Sequence, residues 1–198
     1  MGGAEEASDG TAPGSVTPLL APLMALQGLL ARFENRGVII GGIAASLLGT
    51  PRLTADLDAV LLVGVDEIPR LVQQAAAEGI APRIPDCETF ARTSHVLLLR
   101  HTASGTDIDI SLGLLPFEVE MVDRSQPYAI GPLELRLPTP EDLIILKAVA
   151  HRPKDLLDIQ AIATNHPGLN RGRVEHWVRQ FAELLEMPEL WDDVAGLL

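Results

Sequence analysis

The stretch PRLTADLDAV, residues 51–60, runs into an apolar tract, Val60 to Val63, and together they restrict what the chain can fold into. In an extended segment alternate side chains share a face. One face then carries Arg52, Thr54, Asp56 and Asp58, and the other Leu53, Ala55, Leu57 and Ala59. The tract that follows is apolar throughout, as in a strand inside a covered sheet. Two neighbouring carboxylates at the mouth of such a strand repel each other, and burial makes each charge more costly. A compensating positive charge is therefore expected close by.

Around this strand the pattern alternates. Leu19, Leu23, Leu26, Leu29, Leu30 and Phe33 have helical spacing over Pro18–Arg36, with Gly37 as a stop. Val38–Ile40 reads as a short buried strand, Ile43–Leu48 as a short helix after Gly41-Gly42, and Leu57–Val63 as the second strand. Asp66–Glu78 reads as a helix that Asp66 could cap. Val96–His101 and Asp107–Leu112 form a hairpin across TASGT, Pro116–Arg124 suggests a short helix, and Tyr128–Ile130 and Leu133–Leu137 suggest a small hairpin. At TPED the composition changes. Thr139 is placed to cap a helix with Pro140 in its first position. From there helices are expected over Pro140–Ala150, Asp155–Thr164, Arg171–Glu186 and a final short segment. The expected organisation is a disordered tail over residues 1–17, an α+β core with a mixed sheet over 18–138 and a helical bundle over 139–198.

Composition narrows function. With a formal net charge of -12, nonspecific binding to duplex nucleic acid is not expected of this surface. The lone Cys87 rules out an internal disulfide and suits a cytoplasmic setting. No apolar run approaches the ~20 residues that a membrane span requires. No basic segment followed by an apolar one opens the chain, so a signal peptide is not expected. The five histidines show no metal-binding spacing.

The chemistry-bearing residues lie in three places. Gly41-Gly42 follows a strand and opens a helix, where backbone N–H groups can approach an anion. A tight turn alone would also account for the pair, and it fits neither a dinucleotide fingerprint nor a P-loop. Asp56 and Asp58 share one strand face, and TDIDIS puts Asp107 and Asp109 on one face of another. If these strands are neighbours, three or four carboxylates converge beside a phosphate cradle. Hard oxygen ligands in that setting suit Mg²⁺, and one or two such ions would supply the missing positive charge.

The ordered set Val38-Ile39-Ile40-Gly41-Gly42, Asp56-Leu57-Asp58 and Ile108-Asp109-Ile110 resembles the nucleotidyltransferase superfamily of DNA polymerase beta type. GGIAASLLGTPRLTADLDAVL with PEDLIILKAVAHRPKDLLDI downstream is similar to the AbiEii-type nucleotidyltransferases, several of which are toxins of toxin–antitoxin systems. The similarity covers about residues 37–162. One departure is that many superfamily members have Gly-Ser where this chain has Gly41-Gly42. The resemblance implies that Gly41 and Gly42 hold an NTP triphosphate and that Asp56 and Asp58 bind the metals. It also implies that Asp109 completes the site and helps deprotonate an acceptor hydroxyl, with Asp107 as the alternative third carboxylate.

Arg52 and Thr54 share the face of the first pair, and Arg52 is placed to meet a phosphate, a carboxylate or a surface partner. Lys147, one of two lysines in the chain, sits in an apolar helix and asks for an anionic partner unless it snorkels to the surface. The family uses its position for the nucleotide phosphates. Asp155 and Asp158 share a helix face, although Asp155 could simply cap it. Arg152, Lys154, Arg171, Arg173 and Arg179 form a basic subset that could bind an acceptor or simply be solvated. The expected activity is transfer of an NMP to a hydroxyl on tRNA, a protein or a small molecule such as an aminoglycoside, with an antitoxin protein as a further partner. A non-catalytic nucleotide-binding module is the alternative from another class.

Overall fold

The computed structural model describes residues 19–34 and 36–198. The tail expected over residues 1–17 lies outside the described residues. In chain order the elements are α1 (Leu20–Ala31), β1 (Gly37–Ile40), α2 (Gly41–Leu48), β2 (Asp56–Leu61), α3 (Ile68–Ala77), β3 (Ile80–Pro82), α4 (Cys87–Ser94), β4 (Val96–His101), β5 (Asp107–Leu112) and α5 (Pro116–Arg124). They continue with β6 (Gln126–Ile130), β7 (Leu133–Leu137), α6 (Pro140–Ala150), α7 (Pro153–Asn165), α8 (Arg171–Leu184) and α9 (Leu190–Ala195). None of these helices is long and apolar enough to cross a membrane.

The fold is α+β, built on a mixed five-stranded sheet in the order β1-β2-β5-β4-β3. Two of its three interior strands, β2 and β5, pair in parallel, and every other pairing in the sheet is antiparallel. Central strands are covered on both sides, which explains the apolar run at the end of β2. Ala59, Val60 and Leu61 are all buried. The face carrying Leu57, Ala59, Ile108, Ile110, Leu97 and Leu99 is sealed completely into the hydrophobic core. The β6-β7 hairpin forms a second small sheet beside β1.

From Pro140 onward the chain is helical. Thr139 caps α6 by accepting a hydrogen bond from the Asp142 backbone N–H. Helix α6 is apolar nearly all round because it is surrounded: it packs on α2, α7, α8 and α9. The contacts of α2 with α6 and α7 join the sheet's first crossover to the helical layer.

Three local expectations fail. Gly37 is not the stop of α1, which ends at Ala31 with Arg32 as its C-cap; Gly37 opens β1. Asp66 does not cap α3. The segment Val65–Glu67 is a turn of 3₁₀ helix, and α3 starts after it with Pro69 in its first turn and no side-chain cap. Helix α2 begins at Gly41 itself, directly after β1, two residues earlier than its apolar periodicity indicates. Gly41 makes this abrupt switch possible because its φ is +66°, a conformation that costs other residues about 1–2 kcal/mol.

Candidate active site

Parallel pairing of β2 with β5 sets the site. Asp56 lies opposite Asp107 and Asp58 opposite Asp109, so the four carboxylates share one face of two adjacent strands. Burial pushes the Asp58 carboxyl above its usual range, and the charges of Asp56 and Asp109 push the same way. Lys147 and a hydrogen bond from the Gly42 backbone oppose that rise. Asp109 is also pushed up, mainly by burial and despite the Arg83 charge beside it. Asp107 moves the other way, because hydrogen bonds from Arg100 and Arg83 hold its carboxylate ionised. The two candidates for the third carboxylate are thus physically unlike. Asp107 is committed to two arginines, whereas Asp109 takes only Arg83 and lies opposite Asp58.

Arg83 was not among the sequence-derived candidates. It follows the three-residue β3, in a stretch with too little periodicity to read. Its backbone N–H donates to the Leu98 carbonyl at 3.0 Å, which anchors it to β4. Its guanidinium spans both acids of β5, with Nη1 to Asp107 Oδ2 at 2.6 Å and Nη2 to Asp109 Oδ1 at 2.8 Å.

On the other side of the aspartates lies the Gly41-Gly42 turn. A Cβ on Gly41 would come within 1.9 Å of Asp58 Oδ2, and one on Gly42 within 2.5 Å of Thr54 Oγ1. The chain's own packing therefore requires both glycines. Thr54 donates to Asp56 Oδ1 at 2.9 Å, fixing that carboxylate from the loop before β2. Gly41, Gly42, Arg52, Thr54, Asp56, Asp58, Lys147, Arg152 and Lys154 enclose a small polar cavity of about 80 Å³.

The cations of that wall are tied together by two acids of α7. Lys147 is 4% exposed, which excludes a snorkelling surface lysine. Its Nζ donates to Asp155 Oδ1 and Asp158 Oδ2, both at 2.9 Å. Asp158 also accepts Arg52 in a two-pronged pair, Nε to Oδ1 and Nη2 to Oδ2, each at 3.0 Å. Asp155 takes Arg152 Nε at 2.5 Å and the Arg152 backbone N–H at 3.3 Å. It therefore caps α7 and also neutralises charge. Arg52 meets a carboxylate, and the partner of Lys147 is a pair of aspartates. Both Asp155 and Asp158 are held below the ordinary carboxylate range by these hydrogen bonds and charges, which outweigh burial.

Three known structures match this architecture. The antibiotic-resistance factor ANT(2'')-Ia is 16% identical, with a TM-score of 0.54 over 85% of this chain and 95% of that one. A protein from H. pylori, provisionally described as a nucleotidyltransferase, is also 16% identical, with a TM-score of 0.53 over 94% of this chain and 83% of that one. An antigenic nucleotidyltransferase-like protein from Paracoccidioides brasiliensis is 15% identical, with a TM-score of 0.51 over 93% of this chain and 94% of that one. The chain has the nucleotidyltransferase fold. No family model and no curated protein matches the sequence.

Within this nucleotidyltransferase fold the donors suit a hard divalent cation, although they are not drawn together as a finished cage. Among the described residues no group of three His, Cys, Asp or Glu side chains is gathered closely enough to hold a metal. One reason is visible: Asp109 Oδ1 is occupied by Arg83. The chemistry still fits, because Asp58 carries a half-buried charge that Asp56 and Asp109 destabilise. All-oxygen donors of this kind suit Mg²⁺.

Most of the remaining sequence candidates do not join the site. Arg173 is drawn into the buried Asp142, at 2.7 Å, and into Glu120. Arg171 bonds the carbonyls of Ala195 and Leu198, and Arg179 pairs with Glu175. These three arginines are engaged within the protein, so the basic subset is not a continuous free face. Arg152 and Lys154 alone of that subset line the polar cavity.

Proposed function

We propose that this protein is a Mg²⁺-dependent nucleotidyltransferase that moves an NMP from an NTP to an acceptor hydroxyl, most simply in the cytoplasm. The observation that carries the reading is the register of β2 and β5. It sets two Asp-x-Asp pairs side by side, next to a glycine turn and facing a wall of cations. Asp56, Asp58 and Asp109 would hold one or two Mg²⁺ ions, which supply charge neutralisation at the transferred phosphoryl group. The side chains of Arg152 and Lys154 bind triphosphate oxygens at the mouth of the cavity that Gly41 and Gly42 line, the Gly42 backbone N–H being held by Asp58. Lys147 uses two of its three N–H groups on Asp155 and Asp158, leaving one for a phosphate. Arg52 and Thr54 act from behind, holding α7 and Asp56 in place.

In the transfer step the acceptor oxygen attacks the α-phosphorus and the bond to the β-phosphate oxygen breaks. Pyrophosphate leaves with the electron pair. The hydroxyl proton passes to Asp109 Oδ2, the oxygen that Arg83 leaves free. Alignment of acceptor and phosphate, together with fixed positive charge, provides most of the acceleration.

Two acceptor classes are in view. The AbiEii-like motifs support a toxin acting on tRNA, with an antitoxin as partner. The net charge of -12 supports a small cationic acceptor of the antibiotic kind, which an acidic surface attracts and a polyanion is not. The test is incubation of the protein with each labelled NTP, Mg²⁺ and either cell extract or purified aminoglycosides, followed by identification of the labelled species. Label in tRNA with growth arrest on expression supports the first class, and a modified drug with resistance supports the second. NTP binding without turnover on any acceptor would mean a nucleotide-binding module and would overturn the transferase reading.

A further inference from the structure

The polar cavity has an apolar neighbour. A second cavity of about 160 Å³ shares Gly41, Asp58, Lys147 and Arg152 with it. Beyond those shared walls its lining is Ile40, Leu143, Leu146 and Ala150. Ile40 is the last residue of β1 and pairs with Asp58, so the sheet supplies one wall. The other three lie along α6 at i, i+3 and i+7, one face of the helix. The two cavities therefore meet at Asp58 and Lys147 and differ sharply in chemistry on either side.

We infer that the apolar cavity is the nucleobase slot of the bound NTP, and that it holds the base without reading which base it is. The inference rests on the nucleotidyltransferase reading above. A ligand whose phosphates occupy the polar cavity must send its remainder through an adjoining opening, and this one leaves across the shared Gly41–Lys147 walls. Its volume is well below the ~300 Å³ at which pockets for drug-sized ligands begin, a size for one ring system. Every charged or hydrogen-bonding side chain in its lining is one it shares with the polar cavity. Beyond the junction the described residues supply no side-chain donor, no side-chain acceptor and no aromatic ring to stack on. Nucleobases differ chiefly in the polar groups on their edges. A site that does not bond those groups discriminates weakly, by about 100-fold at most, whereas a site built to bond them rejects the wrong partner by about 10⁴.

The experiment is calorimetric titration of the full chain at saturating Mg²⁺ with ATP, GTP, CTP, UTP and inorganic tripolyphosphate. It compares the wild type with Ala150→Trp. Ala150 is exposed at the last position of α6, so the larger ring can enter the slot without rebuilding the core. A thermal melt of the variant checks that the fold is kept. Leu146→Gln, which puts a hydrogen-bonding group into the same wall, is the second variant.

The four NTPs are expected to bind within about 100-fold of one another. Ala150→Trp should weaken all four by about ten-fold or more, the scale of one lost apolar contact surface, with tripolyphosphate affinity unchanged. Leu146→Gln should widen the spread among the bases. A wild-type preference beyond about 100-fold for one base overturns the inference, as does NTP binding that neither variant changes. In those cases tripolyphosphate still binds and the transferase reading survives. Binding of neither NTP nor tripolyphosphate overturns both.

Discussion

Lys147 offers the sharpest separation between a structural and a surface role. In Lys147→Met the stem is kept and the ammonium removed. Two charge-assisted hydrogen bonds disappear, those to Asp155 and Asp158 at 2.9 Å. Such bonds contribute about 1.5–3 kcal/mol each, and breaking a buried pair costs about 3–5 kcal/mol when the partner is left unpaired. Here neither aspartate is orphaned: Asp158 keeps Arg52 and Asp155 keeps Arg152. Loss of the lysine's own desolvation cost offsets part of the rest. The expected destabilisation is therefore near the low end, about 2–4 kcal/mol.

For a chain of this size each kcal/mol lowers Tm by about 2–4 °C, so a drop of roughly 5–15 °C should appear in thermal unfolding followed by circular dichroism. The acid dependence carries a sign. Asp155 and Asp158 have folded-state pKa values held below the ordinary range, so their contribution is complete above the unfolded carboxyl value of about 4. It is lost as pH falls through the folded values. The difference between wild type and variant should be full at pH 7 and shrink only below about pH 4. A Tm change under about 2 °C at pH 7, or a difference that persists undiminished in acid, would refute the bridging of Asp155 and Asp158 by Lys147 as a source of stability.

Asp58→Asn should abolish transfer by removing a ligand oxygen, yet raise Tm, because the folded state disfavours the Asp58 charge that burial and its neighbours destabilise. A lower Tm by calorimetry at neutral pH would contradict that account. Gly41→Ala should lower Tm by more than Gly42→Ala, since the new methyl meets Asp58 Oδ2 at 1.9 Å on a backbone with φ +66°, against a contact with the Thr54 side chain at 2.5 Å for the second. Equal melting temperatures for the two variants would argue against it. Arg83→Gln should tighten Mn²⁺ binding on the order of ten-fold in titrations of free Mn²⁺ by electron paramagnetic resonance, because one close positive charge is gone and Asp109 is released. Unchanged affinity would mean that Arg83 does not compete with a cation.

The sequence was informative wherever one residue type answered to one physical demand. The β4-β5 hairpin and the span of α6 could be read because alternation, a Gly-containing loop and a Thr-Pro start each have a single structural meaning. Gly41 was singled out for the right backbone freedom, although its close neighbour is Asp58 of the same chain. What could not be read depends on distance in sequence. Arg52 and Asp158 are 106 residues apart, and no local pattern announces their pair. Arg83 lies in a stretch where β3 has three residues and α4 buries only Cys87 and Ala91, too few positions to establish a period. Its role depends on where the sheet edge brings it. The basic subset misled for the same reason, since Arg173 faces the buried Asp142 of another helix.

Both lysines of this acidic chain, Lys147 and Lys154, line the same polar cavity, whereas of its arginines only Arg52 and Arg152 do. That division follows the chemistry of the two cations. An arginine's planar fork matches a carboxylate, as in Arg52 with Asp158, and is used here to lock elements together. A lysine's compact ammonium can satisfy two acids and still direct a third N–H elsewhere. Lys147 does this at the point where α2, α6 and α7 meet. The same acids that hold the helical layer against the sheet thereby set the position of the charge that faces the cavity. A change that shifts α7 must move Arg52 and Lys147 together, so the geometry of the cationic wall and the docking of the helical layer are one property of this fold.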